Sequence, residues 1–250
     1  MIEAINVNKT FDGRQILKDI NVTIERGKVN MIIGQSGAGK SVFFKCLVGL
    51  HDIDSGDVQY DGRDFTKMEF KERKKVRQEI GMLFQAGALF DSQTVEQNVM
   101  FPLDMFTDMS YEEKLERVNF CLDRVNIVNS NKLFPGEISG GMKKRVAIAR
   151  AIAMKPKYLF CDEPNSGLDP RTSIVIDNLI KDLTEEYDMT TVVISHDMNS
   201  VIEIGDRISF IHEGQLWWSG TKEEILKTEN PEVNEFVYAS KFMQIVKKNL

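Results

Sequence analysis

The chain reads as an α/β protein: a mixed, largely parallel sheet covered by helices, with antiparallel strands ahead of it and a helical lobe inserted in it. Three observations predict this. An apolar run, Met31-Ile32-Ile33, leads into Gly34-Gln35-Ser36-Gly37-Ala38-Gly39-Lys40-Ser41 and then a helix-compatible segment from Val42. Two short apolar or β-branched runs, 158–161 and 191–194, flank a stretch of helical spacing, and strand, helix, strand with short links implies a parallel sheet under helices. From Ser110 to Pro156 the pattern is helical instead.

Taken in order, the first 30 residues alternate short β-like runs with turns: 5–7, Asp12-Gly13, then 20–24 up to Arg26-Gly27. They predict antiparallel strands laid beside the glycine-rich segment. Asp54-Ser55-Gly56 and Asp61-Gly62 bracket a strand at 58–60, and 80–84 is apolar enough for a buried strand. Ser110 with Glu113 forms a capping box ahead of Leu115, Val118, Leu122 and Val125 at helical spacing. A second helix starts at Ser139 and runs through Val146, Ala149, Arg150 and Ala153 to a stop near Pro156, so the lobe is placed at about 87–155.

Across 171–186, Ile174, Val175, Asn178, Leu179 and Leu183 share roughly one side of a predicted helix. A hairpin at 208–216 turns at Glu213-Gly214, and Thr221 with Glu224 caps a short helix. The expected division is a main domain at 1–220, which carries the glycine-rich segment and the inserted helical lobe, and a C-terminal helical extension at 221–250. In that extension Phe236, Val237, Phe242, Met243, Ile245 and Val246 are too apolar for a free tail, so they dock on their own sheet or on a second copy; Lys247 and Lys248 suit a solvated end.

With 250 residues, 42% apolar and 28% charged, the composition is that of a soluble globular chain. Lys and Arg total 32 against 38 Asp and Glu; a net charge of -6 offers no general attraction to nucleic acid, and no nucleic-acid partner is expected. The basic run Lys71, Arg73, Lys74, Lys75 and Arg77 reads as a solvated helix face. No apolar stretch approaches the ~20 residues that span a bilayer, and Met1-Ile2-Glu3-Ala4 does not read as a signal peptide, so a membrane role has to come through a partner. Cys46, Cys121 and Cys161, widely spaced in apolar surroundings, read as buried thiols in a reducing compartment.

Glycines free the backbone N–H groups of residues 34–39 to turn toward a phosphate, and the helix that follows adds its dipole. Lys40 can then reach the β- and γ-phosphates and Ser41 can hold Mg²⁺; a bare tight turn leaves both side chains unexplained. Tyr158-Leu159-Phe160-Cys161-Asp162-Glu163 is an apolar strand ending in two carboxylates whose side chains diverge, one for the Mg²⁺ shell (Asp162) and one for the attacking water (Glu163). His196, in Ser195-His196-Asp197, either contacts a γ-phosphate or is a satisfied histidine at a sheet edge. Ile138-Ser139-Gly140-Gly141-Met142 is either an N-cap turn or a second anion site; two chains packed head to tail would let it close on the nucleotide held by the other.

With these motifs in place, about residues 1–220 resemble the nucleotide-binding subunit of ATP-binding-cassette transporters, which implies a P-loop NTPase fold with a RecA-like core. In that likeness residues 34–41 correspond to the Walker A loop, Gln85 to the Q-loop glutamine, 138–142 to the signature, 158–163 to Walker B with its catalytic glutamate, 166–169 to the D-loop and His196 to the switch histidine. Phe11 corresponds to the aromatic that stacks on adenine. The resemblance implies ATP held by Phe11, Gly34, Ser36, Gly37, Gly39, Lys40, Ser41, Val42 and Gln85 together with Ser139, Gly140, Gly141 and Asp169. It implies Mg²⁺ held by Ser41, Gln85 and Asp162, and catalysis by Glu163, His196 and Lys40.

Two departures narrow the family. Ile138 and Met142 stand where leucine and glutamine are usual, and Met142 cannot reproduce glutamine's two-ended hydrogen bonding. Met142, the segment Phe84-Gln85-Ala86-Gly87-Ala88-Leu89-Phe90-Asp91-Ser92, and Asn230-Pro231-Glu232-Val233 with Phe236 resemble the Mla-type phospholipid-transport ATPases. That likeness implies a second copy of the chain, two integral-membrane permease subunits, an MCE-domain lipid-binding protein, and a place on the cytoplasmic face of the inner membrane. Residues 87–90 are then either a surface for the permease or a hydrophobic plug between lobes. The alternatives are the ATPase of a small-solute transporter and a soluble ATPase scaffold of the iron–sulfur assembly kind.

Overall fold

The computed structural model describes residues 1–239, 243, 244 and 247. Strands β1 (Ile2–Phe11) and β2 (Arg14–Ile24) form an antiparallel pair closed by Asp12-Gly13, both at positive φ. Both outrun the predicted stretches 5–7 and 20–24. The register slips three times along β1, and Asn6 and Asp19 sit at φ 49° and 50°, so the in-out alternation that betrays a strand survives only in fragments. Strand β3 (Val29–Ile33) is buried along its whole length and feeds the glycine loop and helix α1 (Lys40–Leu47).

Strands β4 (Ser55–Tyr60) and β5 (Arg63–Asp64) complete a four-stranded antiparallel sheet of order β2-β1-β4-β5. Helix α2 (Phe70–Gln78) carries the basic run; Lys71, Lys74 and Lys75 face solvent, but Arg73 turns back to the carbonyls of Thr66 and Met68 and to Asp52, and Arg77 to the carbonyl of Gly49. The solvated-face reading therefore holds for the lysines and for Arg77, which stays exposed while it bonds Gly49, and fails for Arg73, which is half-buried.

After β6 (Ile80–Leu83) come helices α3 (Val95–Phe106), α4 (Tyr111–Arg124) and α5 (Gly140–Ile152), then β7 (Tyr158–Asp162). Helix α4 has the predicted capping box and buries Val118, Cys121 and Leu122. Helix α3 has Pro102 inside it, which removes one backbone donor and masks the helical signal in the sequence.

Helix α6 (Pro170–Glu186) forms where expected, but its buried stripe is not the apolar one. Ile174 and Val175 are about half exposed (53% and 51%), while Ile176, Asp177, Ile180, Leu183 and Thr184 face the core. The stripe contains two polar residues that find partners inside: Thr184 bonds the Ile180 carbonyl and Thr191, and Asp177 bonds Asn165.

Strand β8 (Thr190–Ile194), helix α7 (Met198–Ile204) and the hairpin β9 (Arg207–His212) and β10 (Gln215–Gly220) follow, then the short helices α8 (Lys222–Ile225) and α9 (Pro231–Val237). The second sheet has the order β10-β9-β3-β8-β7-β6, parallel except at β10. Alternation along β3 divides the core: Met31 and Ile33 pack with α3 to α7, and Ile32 packs with the antiparallel sheet and α1.

Cys46, Cys121 and Cys161 are all buried and unpaired, as the sequence predicts. The C-terminal apolar residues dock on their own sheet, with the Phe236 ring 5.4 Å from Phe210 of β9 and Val237 buried. Phe242, Ile245, Val246 and Lys248 lie outside the described residues. Among the described residues no helix is long and apolar enough to cross a membrane.

Candidate nucleotide site

Parallel strands bring their C-terminal ends to one edge of the sheet, and ligands of open α/β sheets bind there. Ile32 pairs with Ile194 and Ile194 with Asp162, so the glycine loop, the two carboxylates and the His196 turn leave the sheet side by side. Within the loop, two glycines are required by sterics. A Cβ on Gly34 (φ 147°) would sit 2.2 Å from the Ile211 carbonyl oxygen, and Gly39 (φ 107°) caps α1 in a conformation that excludes most side chains. The Gly214 N–H donates to the Ala38 carbonyl, tying the β9–β10 turn to the loop. Ser36, Gly37 and Ser41 are exposed, Val42 is half-buried in the first turn of α1, and the helix N-terminus is free of any side-chain cap.

Lys40 lies back along the loop and donates to the carbonyls of Gly34 (2.8 Å) and Gln35 (2.9 Å). Burial pulls its pKa down, and the charges of Glu163 and Asp162 act the other way. Asp162 is pushed up, first by burial and then by repulsion from Glu163, with Lys45, Lys144 and Lys40 opposing. Three lysines from two helices thus act at longer range against the rise at Asp162 without reversing it, and the sequence reading had found one of them.

Glu163 continues from β7 in a left-handed conformation (φ 48°) with its N–H still bonded to the Ile194 carbonyl. The turn aims its carboxylate at the next strand end, where its Oε2 is 2.8 Å from Nδ1 of His196. The histidine is open to solvent and the glutamate largely shielded, 70% against 16% side-chain exposure, so the imidazole screens the carboxylate from water. Ser195 Oγ accepts from the Asp197 N–H, and Asp197 Oδ1 in turn accepts from the Asn199 N–H at the start of the next helix, so both belong to the turn.

A buried cluster that the sequence reading missed braces this pair from behind. Asn165 donates to Asp177 (2.7 Å) and Ser200 (3.0 Å), linking the segment after Glu163 to α6 and to the helix after His196. A lone aspartate within an apolar helix stripe was its only trace in the sequence. Gln85 reaches the same segment, its Nε2 3.2 Å from Ser166 Oγ. Phe11 is 38% exposed at the end of β1, edge-on to His51 and with Lys9 over its ring.

Ser139, Gly140, Gly141 and Asp169 form a separate group. Ser139 caps α5 through the Met142 N–H, Asp169 caps α6 through the N–H groups of Arg171 and Thr172, and a Cβ on Gly141 would meet Thr172 at 2.7 Å. Among the described residues no hydrogen bond or ion pair joins these four to Lys40, Asp162 or Glu163. The N-cap reading of the Ser139 turn is thus visible in the structure, and it leaves the first N–H groups of α5 pointing outward beside the serine.

The oxygen donors Ser41 and Asp162 suit Mg²⁺, which takes one or two carboxylates and completes its shell with phosphate and water; the Gln85 amide, the third expected ligand, is bonded to Ser166. Among the described residues no cluster of three or more His, Cys, Asp or Glu side chains forms a self-sufficient metal cage.

A profile of the ABC transporter family matches residues 17–166. The probable ribonucleotide transport ATP-binding protein mkl of Mycobacterium tuberculosis is 37% identical over 94% of this chain and 66% of its own length. The methionine import ATP-binding protein MetN of Rhizobium johnstonii is 39% identical over 87% of this chain and 61% of its own. The chain therefore spans just under two thirds of the length of such relatives.

Among solved structures, the dimeric ATP-binding cassette MJ0796 bound to ADP and Pi superposes with a TM-score of 0.81 at 33% identity, covering 89% of this chain and 99% of that one. CbiO1 of Clostridium perfringens, part of the ABC transporter complex cbiONQ, superposes at 0.85 with 30% identity over 98% of each. By sequence and by fold, the chain is a member of the ABC transporter family and carries its ATP-binding cassette.

Proposed function

We propose that the chain is the ATP-hydrolysing motor of a transporter, working as a head-to-tail pair in which each nucleotide is held by the glycine loop of one copy and the Ser139 turn of the other. The observation that carries this is the Glu163–His196 contact at 2.8 Å beside Lys40. Lys40 exchanges its loop carbonyls for the β- and γ-phosphates, Glu163 orients the attacking water and accepts its proton, and His196 holds Glu163 and faces the γ-phosphate. Mg²⁺, held by Ser41, Asp162 and Gln85, would neutralise phosphate charge. The dimer is supported by the isolation of the Ser139 group within one chain and by the dimeric state of the solved cassette MJ0796.

Glu163→Gln tests the motor. The variant keeps the hydrogen-bonding shape, so ATP binding is expected to persist while turnover drops ~10²–10³-fold, the ~2.7–4 kcal/mol typical of removing one preorganised electrostatic contact. Wild-type turnover in this variant rejects the assignment.

The proposed cargo is phospholipid, moved between membranes with two permease subunits and an MCE-domain lipid carrier at the cytoplasmic face of the inner membrane. Its support is Met142 in the signature and the 84–92 segment. Phe84, Phe90, Phe101 and Phe106 line an apolar groove of about 480 Å³ in which a permease segment would fit, and the Phe90 and Phe101 rings lie 4.8 Å apart. Small-solute import is the second reading, favoured by the names of the ribonucleotide and methionine relatives. Purifying the membrane complex in mild detergent separates them: co-purifying phospholipid and lipid-stimulated turnover support the first, a lipid-free complex stimulated by solute the second.

A further inference from the structure

Helix α5 is buried through Val146, Ala147, Ile148, Ala149, Ala151 and Ile152, and in the same stripe sits a cation, Lys144, only 5% exposed. Among the described residues no carboxylate lies within ion-pair distance of its ammonium. Its partners are two backbone carbonyls, those of Gln85 and of Glu163, the latter at 3.5 Å, from segments 59 and 19 residues away. Arg150, further along α5, grips the carbonyls of Gly87 and Ala88 at 2.7 Å each. One helix thus holds the 85–88 segment by its main chain at three points, and through Lys144 alone reaches the residue that carries the proposed general base.

A buried, unpaired ammonium is expensive, and a well-packed apolar residue would serve stability as well or better. Its position demands a reason other than packing. We infer that Lys144 is a positioning residue: it fixes the main chain at Gln85 and at Glu163 simultaneously, so that the water-orienting carboxylate and the Gln85 side chain keep their spacing, and any displacement of α5 is transmitted to both. Glu163 is the susceptible point, because its left-handed turn leaves the direction of the carboxylate dependent on what its peptide oxygen is anchored to: the Ser166 N–H at 3.1 Å within its own turn, and Lys144 at 3.5 Å as the link to α5. Helix α5 also begins at Ser139, so the same rigid element ends at one proposed nucleotide and passes beside the other.

The inference rests on the hydrolytic reading above, and one assay separates their fates. Turnover, nucleotide KM, fluorescent-ATP affinity and Tm are measured for the full chain, for Lys144→Met, and for Lys144→Gln, which retains a donor without the charge. Lys144→Met is expected to lower kcat by about tenfold or more, within the ~10²-fold that a 1 Å misplacement costs, with affinity unchanged and Tm unchanged or raised. Lys144→Gln is expected to recover part of that loss. A Lys144→Met variant with wild-type kcat, or one whose kcat falls in step with affinity and Tm, overturns the positioning role while leaving the motor intact; a wild-type chain with no Mg²⁺-dependent turnover overturns both.

Discussion

Around the glycine loop the functional groups are partnered within the chain, Lys40 by two carbonyls and Glu163 by His196; around Ser139 they are partnered only by the caps of their own helices. The first region is partly buried and its charges perturb one another's pKa values, whereas the second is largely exposed at two capped helix N-termini. A group poised for chemistry and a group poised for recognition differ in this way. On the proposed reading the loop side binds nucleotide alone, and the Ser139 side contributes only when a second copy presents it.

The comparison breaks most visibly if Ser139→Arg leaves the protein unchanged. The added side chain occupies the face of the α5 N-terminus, so nucleotide-dependent dimerisation is expected to disappear and turnover to fall ~10²-fold or more by loss of transition-state donors, while one chain still binds ATP. Light scattering with and without ATP, run beside a turnover assay, checks it. A smaller effect is expected from Lys40→Ala, which removes charge-assisted bonds worth ~1.5–3 kcal/mol, about one to two decades in nucleotide Kd, with little change in Tm. Titration of a fluorescent nucleotide reads this directly.

The smallest effect is one of pH. Burial and Glu163 hold Asp162 above the ordinary carboxylate pKa of 3.8, so on acidification the folded chain takes up this proton before an unfolded one would. Protonation favours the fold at this residue but removes the charge that Mg²⁺ requires. Carboxylates lowered by their partners, such as Asp64 with Lys67, contribute the opposite way: their stabilisation is present above pH 3.8 and fades below it. Mg²⁺-dependent binding should therefore weaken with falling pH while the circular dichroism of the fold persists, and Asp162→Asn should abolish that pH limb and raise Tm by no more than a few degrees.

Much of the loop region was legible because its signals are local. Gly34 and Gly39 mark backbone that admits little else, and an apolar strand ending in Asp162-Glu163 announces its own direction. The recognition region was legible as a cap but ambiguous as a site, since Ser139 looks the same in either role. What escaped the sequence were the long-range polar contacts. Lys144 is one of three consecutive basic residues, and nothing in that triplet tells which one turns inward to carbonyls 59 and 19 residues away. Asp177 and Thr184 likewise disguised the buried face of α6, because hydropathy spacing assigns polar residues to solvent and so favoured Ile174 and Val175 instead.

The burial of the three cysteines has a practical corollary. Desolvation raises the thiol pKa to about 11 at Cys46 and Cys121 and further at Cys161, so hardly any thiolate exists near neutrality and alkylating reagents find no target in the folded chain. A spectroscopic label attached to a single cysteine introduced on the outer surface would thus report from one known place without first stripping the native sulfurs from the core.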